Sequence, residues 1–352
     1  MNLDDLSRIK ALDPDSMLAE IDDLPNQLQG AWNMGQHLPL ADISGVKNIV
    51  IAGMGGSAIG GDLLVAYVSE FSAVPMIVWR DYDLPAFVAG PETLVIISSH
   101  SGNTEEVLSA YDRGLESGAQ LLAVTTGGEL KRRAGEHGIP VWSFKHAGQP
   151  RAAVGYSFGL LLSAVARLGL IPDPADEVSD AVAAMRRQQE RLKPEVPVNM
   201  NPAKLMAGQL LDRCPTIIGA GLLAPVARRW RTQIAELAKA VAQFESLPEA
   251  DHNMLAGVDN PESLIGSTMV MFLRASLAHP RNLVRVEATN EILMLEGFGT
   301  QIIEARGDTR LAQQWTSLHF GDYCAYYLAI AYGVDPTPVE AIEDLKKRLK
   351  EQ

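Results

Sequence analysis

Two cysteines in 352 residues, Cys214 and Cys324, are too few and too far apart for a disulfide framework or a thiolate metal cluster, and they point to a reducing compartment. Positive charge is also scarce, since 30 Lys and Arg face 43 Asp and Glu, a net charge of −13. That balance disfavours nucleic acid, whose backbone is held by clustered cations. It also means that a phosphorylated ligand must be gripped locally, by backbone N–H groups and hydroxyls at helix N-termini. Long apolar runs are missing: the longest stretch, Ala152 to Ile171, is broken by Ser157, Ser163 and Arg167 and reads as a buried helix, not a membrane span. The first residues, Met1-Asn2-Leu3-Asp4-Asp5, lack the basic start and apolar core of a signal peptide. A cytoplasmic protein with no membrane or nucleic-acid partner is the expectation.

What is present is the composition of an ordinary globular enzyme, 47% hydrophobic and 21% charged, in a chain long enough for two domains. The stretch to about Asn33 reads as helix with a turn at Pro25. Short buried strands follow at Lys47 to Ala52, Val74 to Trp79, Thr93 to Ser98, Leu121 to Thr125 and Pro140 to Phe144, with helix-like runs between them. Prolines at 172 and 174 and at 194, 197 and 202 then bracket a polar helix, which makes 173–202 a linker. Beyond it the pattern restarts with a strand at Thr216 to Ile218, a glycine turn and a helix from Pro225 to Phe244. Strands near Thr268 to Leu273, Asn282 to Glu287 and Gln301 to Glu304 precede a helix from Leu311 to Tyr332 and a short charged helix at Pro338 to Gln352. Strands alternating with helices at this spacing predict α/β architecture: two doubly wound parallel-sheet domains, flavodoxin-like, packed together. The domains are expected at 1–172 and 203–352.

Two loops carry chemistry. Gly53-Met54-Gly55-Gly56-Ser57-Ala58-Ile59-Gly60-Gly61-Asp62 leaves a strand and enters a helix, and its glycines let a ligand approach N–H groups closely. Gly53, Gly55 and Ala58 also satisfy a dinucleotide fingerprint, with Arg80 or Asp81 placed to read a ribose. The second loop argues against that. Ser98-Ser99-His100-Ser101-Gly102-Asn103-Thr104-Glu105-Glu106 sets Ser99, Ser101 and Thr104 around Gly102, donors without a single cation, in a turn that a dinucleotide fold does not need. Gly55, Gly56, Ser57, Ser99, Ser101 and Thr104 are therefore the expected phosphate-binding residues. The bland alternatives are tight strand–helix packing for the glycines and helix capping for the hydroxyls.

The pair GMGGSAIGGD and SSHSGNTEE resembles the sugar isomerase (SIS) domain. Gln149-Pro150-Arg151-Ala152-Ala153, Glu236-Leu237-Ala238-Lys239, Leu247-Pro248-Glu249-Ala250-Asp251-His252-Asn253 and the last helix from Ala341 resemble the bifunctional phosphoglucose/phosphomannose isomerase family. This resemblance implies an isomerase of glucose 6-phosphate, with mannose 6-phosphate as a further substrate, and fructose 6-phosphate, acting through a cis-enediol without metal or cofactor. Glycolysis and gluconeogenesis are the implied setting. Glu236 is implied as the proton-shuttling base, His252 as the ring-opening acid, Arg151 as the group against the enediolate, and Lys346 as a lysine directed into the site, with Lys347 beside it. By periodicity alone Glu236 stands on the flank of a stripe formed by Val226, Trp230, Ile234, Leu237 and Val241, as a solvated carboxylate also would. The family further implies a homodimer whose site lies at the interface, with His252 from the other subunit. Thr337 or Val339 is the position expected to face the mannose epimer. His100 departs from the aromatic or aliphatic residue of the family and is given no catalytic role. The alternatives are an isomerase of another phosphosugar and a non-catalytic phosphosugar sensor.

Overall fold

The computed structural model describes residues 2–40 and 43–351. The chain divides into two compact units, one built from Asp22–Arg186 with Arg306–Thr316, the other from the segment up to Ile21, Arg187–Ala305 and the chain from Ser317 onward.

The first unit is organised on five parallel strands, β1 (Asn48–Ala52), β2 (Met76–Trp79), β3 (Thr93–Ser99), β4 (Gln120–Thr125) and β5 (Val141–Ser143), in the order β2-β1-β3-β4-β5. The central strands read NIVIA and TLVIISS and are buried almost throughout, as unbroken β-branched runs covered on both faces should be. In this strand order the chain winds one way from β1 to β2 and the other way from β3 onward. The crevice beyond the carboxyl ends of β1 and β3 is thus a topological switch point, where open α/β sheets bind ligands. Both loops singled out in the sequence leave the sheet there. Ala52 pairs with Ile97, so Gly53 departs level with Ser98. The returning segment is fastened by Gln314 Nε2 donating to the Leu63 carbonyl (3.0 Å) and by Leu311 N–H donating to Glu177 (3.1 Å).

The second unit holds four parallel strands, β6 (Cys214–Ala220), β7 (Gln243–Leu247), β8 (Thr268–Arg274) and β9 (Gly299–Glu304), in the order β7-β6-β8-β9. Ile218, Leu247, Phe272, Val286 and Leu293 make its core. The topology repeats that of the first sheet, whereas the chemistry does not. Its switch-point turn after β8 reads Ala275-Ser276-Leu277, and Arg274 is ion-paired to Glu287 and Glu304.

Three sequence expectations need correction. Asn282 to Glu287 is not a strand but the first half of a helix, Pro280–Leu295. Its alternation NLVRVE mimics period two, but Pro280 stands in the first turn, His279 caps it by accepting the Arg281 N–H (3.2 Å), and the buried residues Val286, Thr289 and Leu293 follow helical spacing. The helix expected over Pro225 to Phe244 ends at Ala238, because Lys239 takes a left-handed conformation (φ 55°) and the chain turns into β7. Val241 is therefore off the apolar stripe and 74% exposed. The turn expected at Pro25 falls at Asp23, between the helices Met17–Asp22 and Leu24–Gly35, with Pro25 in the first turn of the latter; a further short helix, Leu6–Leu12, precedes both.

No helix among the described residues is long and apolar enough to cross a membrane. No group of three or more His, Cys, Asp or Glu among them is placed to hold a metal ion.

Candidate active site

At the switch point of the first sheet, Met54 is extended and the helix Gly55–Val68 begins at once. A helix leaves its first N–H groups without partners inside the helix, and here Gly55 and Gly56 occupy that end. The short turn Pro150–Ala153 packs directly on it. A Cβ on Gly56 would stand 2.5 Å from the Pro150 carbonyl oxygen and 3.1 Å from the Arg151 Cα, so only glycine lets the two segments meet. Arg151 is thereby buried (4% exposed) beside the glycine loop, with Nη1 donating to Gln149 Oε1 (3.4 Å).

The second loop is ordered by its own hydroxyls. Ser99 Oγ accepts the Gly102 N–H (3.1 Å) and shares a hydrogen bond with Thr104 Oγ1 (3.0 Å). Ser101 Oγ accepts the Asn103 N–H (3.2 Å), and Ser57 Oγ, from the first loop, accepts the His100 N–H (3.1 Å). An oxygen that accepts from the backbone keeps its own proton to donate. Ser57, Ser101 and the Ser99–Thr104 pair therefore each retain a donor to offer an oxyanion. Thr104 stands at the N-cap position of the helix Glu105–Ser117 without its hydroxyl bonding the helix N–H groups, and that N-terminus adds a positive dipole end at the same place. Gly102 has φ +68° and its carbonyl accepts the Leu130 N–H (2.9 Å), which pins the loop to the chain leaving β4.

Gly55, Gly56, Ser57, Ser99, Ser101, Thr104 and Arg151 are thus brought together. Arg80, one of the two residues placed to read a ribose, is ion-paired with Asp62 of the glycine loop.

Glu236, His252 and Lys346 belong to the second unit. Glu236 is half-buried two residues before the end of the helix Ala224–Ala238, which runs back from the carboxyl end of β6. Its carbonyl accepts from Lys239 Nζ (2.6 Å). His252 is exposed and closes the turn Glu249–His252 that follows β7. That turn is held by Asp251, which ion-pairs with Arg285 (2.7 Å) and accepts from Thr289 Oγ1 (2.8 Å). Within one chain Glu236 and His252 consequently lie toward opposite ends of the strands. Lys346 and Lys347 are both exposed on the helix Glu340–Lys350, and Thr337 is buried just ahead of it.

Sequence reasoning missed one group of neighbours. His146 and Tyr156 gather around His100: His100 Nε2 lies 2.9 Å from His146 Nδ1, the His100 ring meets Phe144 edge-on at 6.0 Å, and Phe144 stacks on Tyr156 at 5.0 Å. Burial, with the charge of His146 second, pushes the His100 imidazole down to about 4. Only the unusual His100 in the loop signalled this cluster, because its partners are some fifty residues downstream.

Residues 199–349 match a family model described as the bacterial phospho-glucose isomerase C-terminal SIS domain. The chain is 40% identical to the bifunctional phosphoglucose/phosphomannose isomerase of Caldicellulosiruptor bescii, an alignment covering 95% of this chain and 99% of the relative. It is 34% identical to the protein of the same name in Aquifex aeolicus, over 92% and 97% of the two chains. A solved structure of a glucose-6-phosphate isomerase like protein from Thermus thermophilus shares the fold with a TM-score of 0.65 at 21% identity, covering 96% of this chain and 98% of the other.

Proposed function

The chain belongs to the bifunctional phosphoglucose/phosphomannose isomerase family, and we propose that it interconverts glucose 6-phosphate and fructose 6-phosphate by moving one proton through a cis-enediolate. The observation that carries the binding half of this reading is the joined pair of loops, with hydroxyl donors from Ser57, Ser99, Ser101 and Thr104 converging beside two helix N-termini. Such a cradle suits a phosphate dianion in a chain of net charge −13.

The chemistry follows from what the substrate needs. The pyranose or furanose ring opens when an acid protonates its ring oxygen, a role we assign to His252. A carboxylate, Glu236, then removes the proton from C2 of the aldose and returns it to C1. The negative charge that develops on the oxygens of C1 and C2 is met by Arg151, already buried and desolvated beside the loops, so its field is little screened. Lys346 is the further cation of the site. We place His252 in the site from a second subunit, in a functional homodimer; the positions of Glu236 and His252 toward opposite ends of one sheet's strands support this reading. Cytoplasmic sugar-phosphate metabolism, in either direction between glycolysis and gluconeogenesis, is the matching setting.

Conversion of fructose 6-phosphate in deuterium oxide tests the route. A carboxylate that holds the proton between C1 and C2 exchanges it with solvent, so glucose 6-phosphate carrying deuterium at C2 is expected by NMR. Product free of deuterium would indicate a direct hydride shift and remove Glu236 from its role.

A further inference from the structure

His252 is exposed at the end of the turn Glu249–His252, and among the described residues nothing bonds its ring. Where the ring stands is therefore set by the backbone that carries it. We propose that Arg285 and Thr289 are positioning residues for ring opening, which fix the direction of His252 through the Asp251 carboxylate. The proposal rests on the reading of His252 as the ring-opening acid.

The turn meets the helix Pro280–Leu295 through two kinds of contact. Ala250 is buried in the core of the second unit together with Val286 and Leu293 of that helix. Beside it, Asp251 divides its carboxylate between two partners. Oδ1 accepts from Thr289 Oγ1 (2.8 Å) and Oδ2 accepts from Arg285 Nη1 (2.7 Å). Arg285 and Thr289 are four residues apart and so stand on one face of the helix. Two bonds from two points oppose rotation of the carboxylate, which a single bond, or the packing of one methyl group, would allow. Thr289 is 2% exposed and the Asp251 side chain 11%, so water competes little for the bond between them. Inside the turn, the Asp251 N–H donates to the Pro248 carbonyl (3.1 Å) and Asn253 Nδ2 to Glu249 Oε1 (2.9 Å). These bonds keep the shape of the turn, whereas the Asp251 carboxylate ties it to the helix. Asp251 directly precedes His252, so the anchored residue fixes the peptide on which the imidazole is mounted. Proton delivery to a ring oxygen needs a defined line of approach, and its efficiency falls steeply when the donor is misplaced.

Thr289→Val keeps the shape of the side chain and removes the hydroxyl. Arg285→Met keeps the stem and removes the charge at a partly exposed position, so it serves in the same tests should Thr289→Val fail to fold. Each should lower kcat for glucose 6-phosphate about tenfold with KM changed by less than about twofold, because the cyclic substrate still binds while its ring opens slowly. Thr289→Ser, which restores the hydroxyl, should recover most of the loss. Arg274→Met removes the ion pair to Glu287 of the same helix without touching Asp251 and should keep wild-type kcat. A loss there as large as in Arg285→Met would mark a general loosening of the helix and overturn the inference. Combination with His252→Gln gives the sharpest readout. A residue that acts through His252 has nothing left to act on in that background, so Thr289→Val or Arg285→Met should lower the residual kcat by less than about twofold. A tenfold loss in the His252→Gln background, or wild-type kcat in either single variant, overturns the inference and leaves the role of His252 standing. Wild-type kcat in His252→Gln itself would remove His252 from ring opening and this inference with it.

Discussion

Glu236→Gln should lower kcat for fructose 6-phosphate by about 10²–10⁴, while KM changes by less than about threefold. The amide matches the carboxylate in size and hydrogen-bonding shape, so the half-buried position on the helix Ala224–Ala238 should fold normally. What is lost is the ability to carry a proton between C2 and C1, an interaction made only on the way to the transition state, and such losses fall on kcat. Steady-state kinetics beside a circular dichroism spectrum separate this from misfolding. A Glu236→Gln variant with full activity would leave the isomerisation standing and require another base.

Gly102→Ala should strike the loop itself. The residue has φ +68°, and a Cβ built there would overlap the Gly127 carbonyl oxygen, with Thr125 Oγ1 only 3.0 Å away. Backbone cannot yield as a flexible side chain does, so the loop must shift. We expect a stability loss on the order of 2–4 kcal/mol and a KM for phosphosugar raised at least about tenfold, since the Ser99, Ser101 and Thr104 donors move with it. Gly90→Ala is the control. Gly90 shares φ +68° but has nothing within 4 Å of the added carbon, so left-handed strain alone, about 1–2 kcal/mol, is expected with KM unchanged. Equal KM values for the two variants would show that Gly102 has no special bearing on binding. Thermal unfolding and substrate saturation curves supply both numbers.

The difference between these two glycines also shows what a sequence conveys. The strand–glycine–helix passage at Gly53 and the serine-rich turn at Ser98 are local features, written in consecutive residues, and their places at the ends of β1 and β3 follow from strand spacing. The strand β7 was hidden because the helix before it ends on Lys239, a residue with no sequence mark of a left-handed stop. The segment Asn282 to Glu287 misled because apolar residues alternate there while a proline and a capping histidine just upstream start a helix. Contacts between distant segments left almost no trace, the unusual His100 in its loop apart. That Gly56 admits Pro150 and Arg151, that Ser57 receives the His100 N–H, and that His100 meets His146 are consequences of packing. The separation of Glu236 from His252 is likewise a property of the sheet, since both sit in recognisable local motifs whose sequence distance of sixteen residues says nothing about opposite strand ends.

The most direct measurement is the turnover of fructose 6-phosphate by the purified chain, with glucose 6-phosphate and mannose 6-phosphate followed separately by coupled assays. Glucose 6-phosphate should accumulate, and Glu236→Gln should abolish most of that signal in the same assay. Formation of neither hexose phosphate by the wild-type chain would contradict the account.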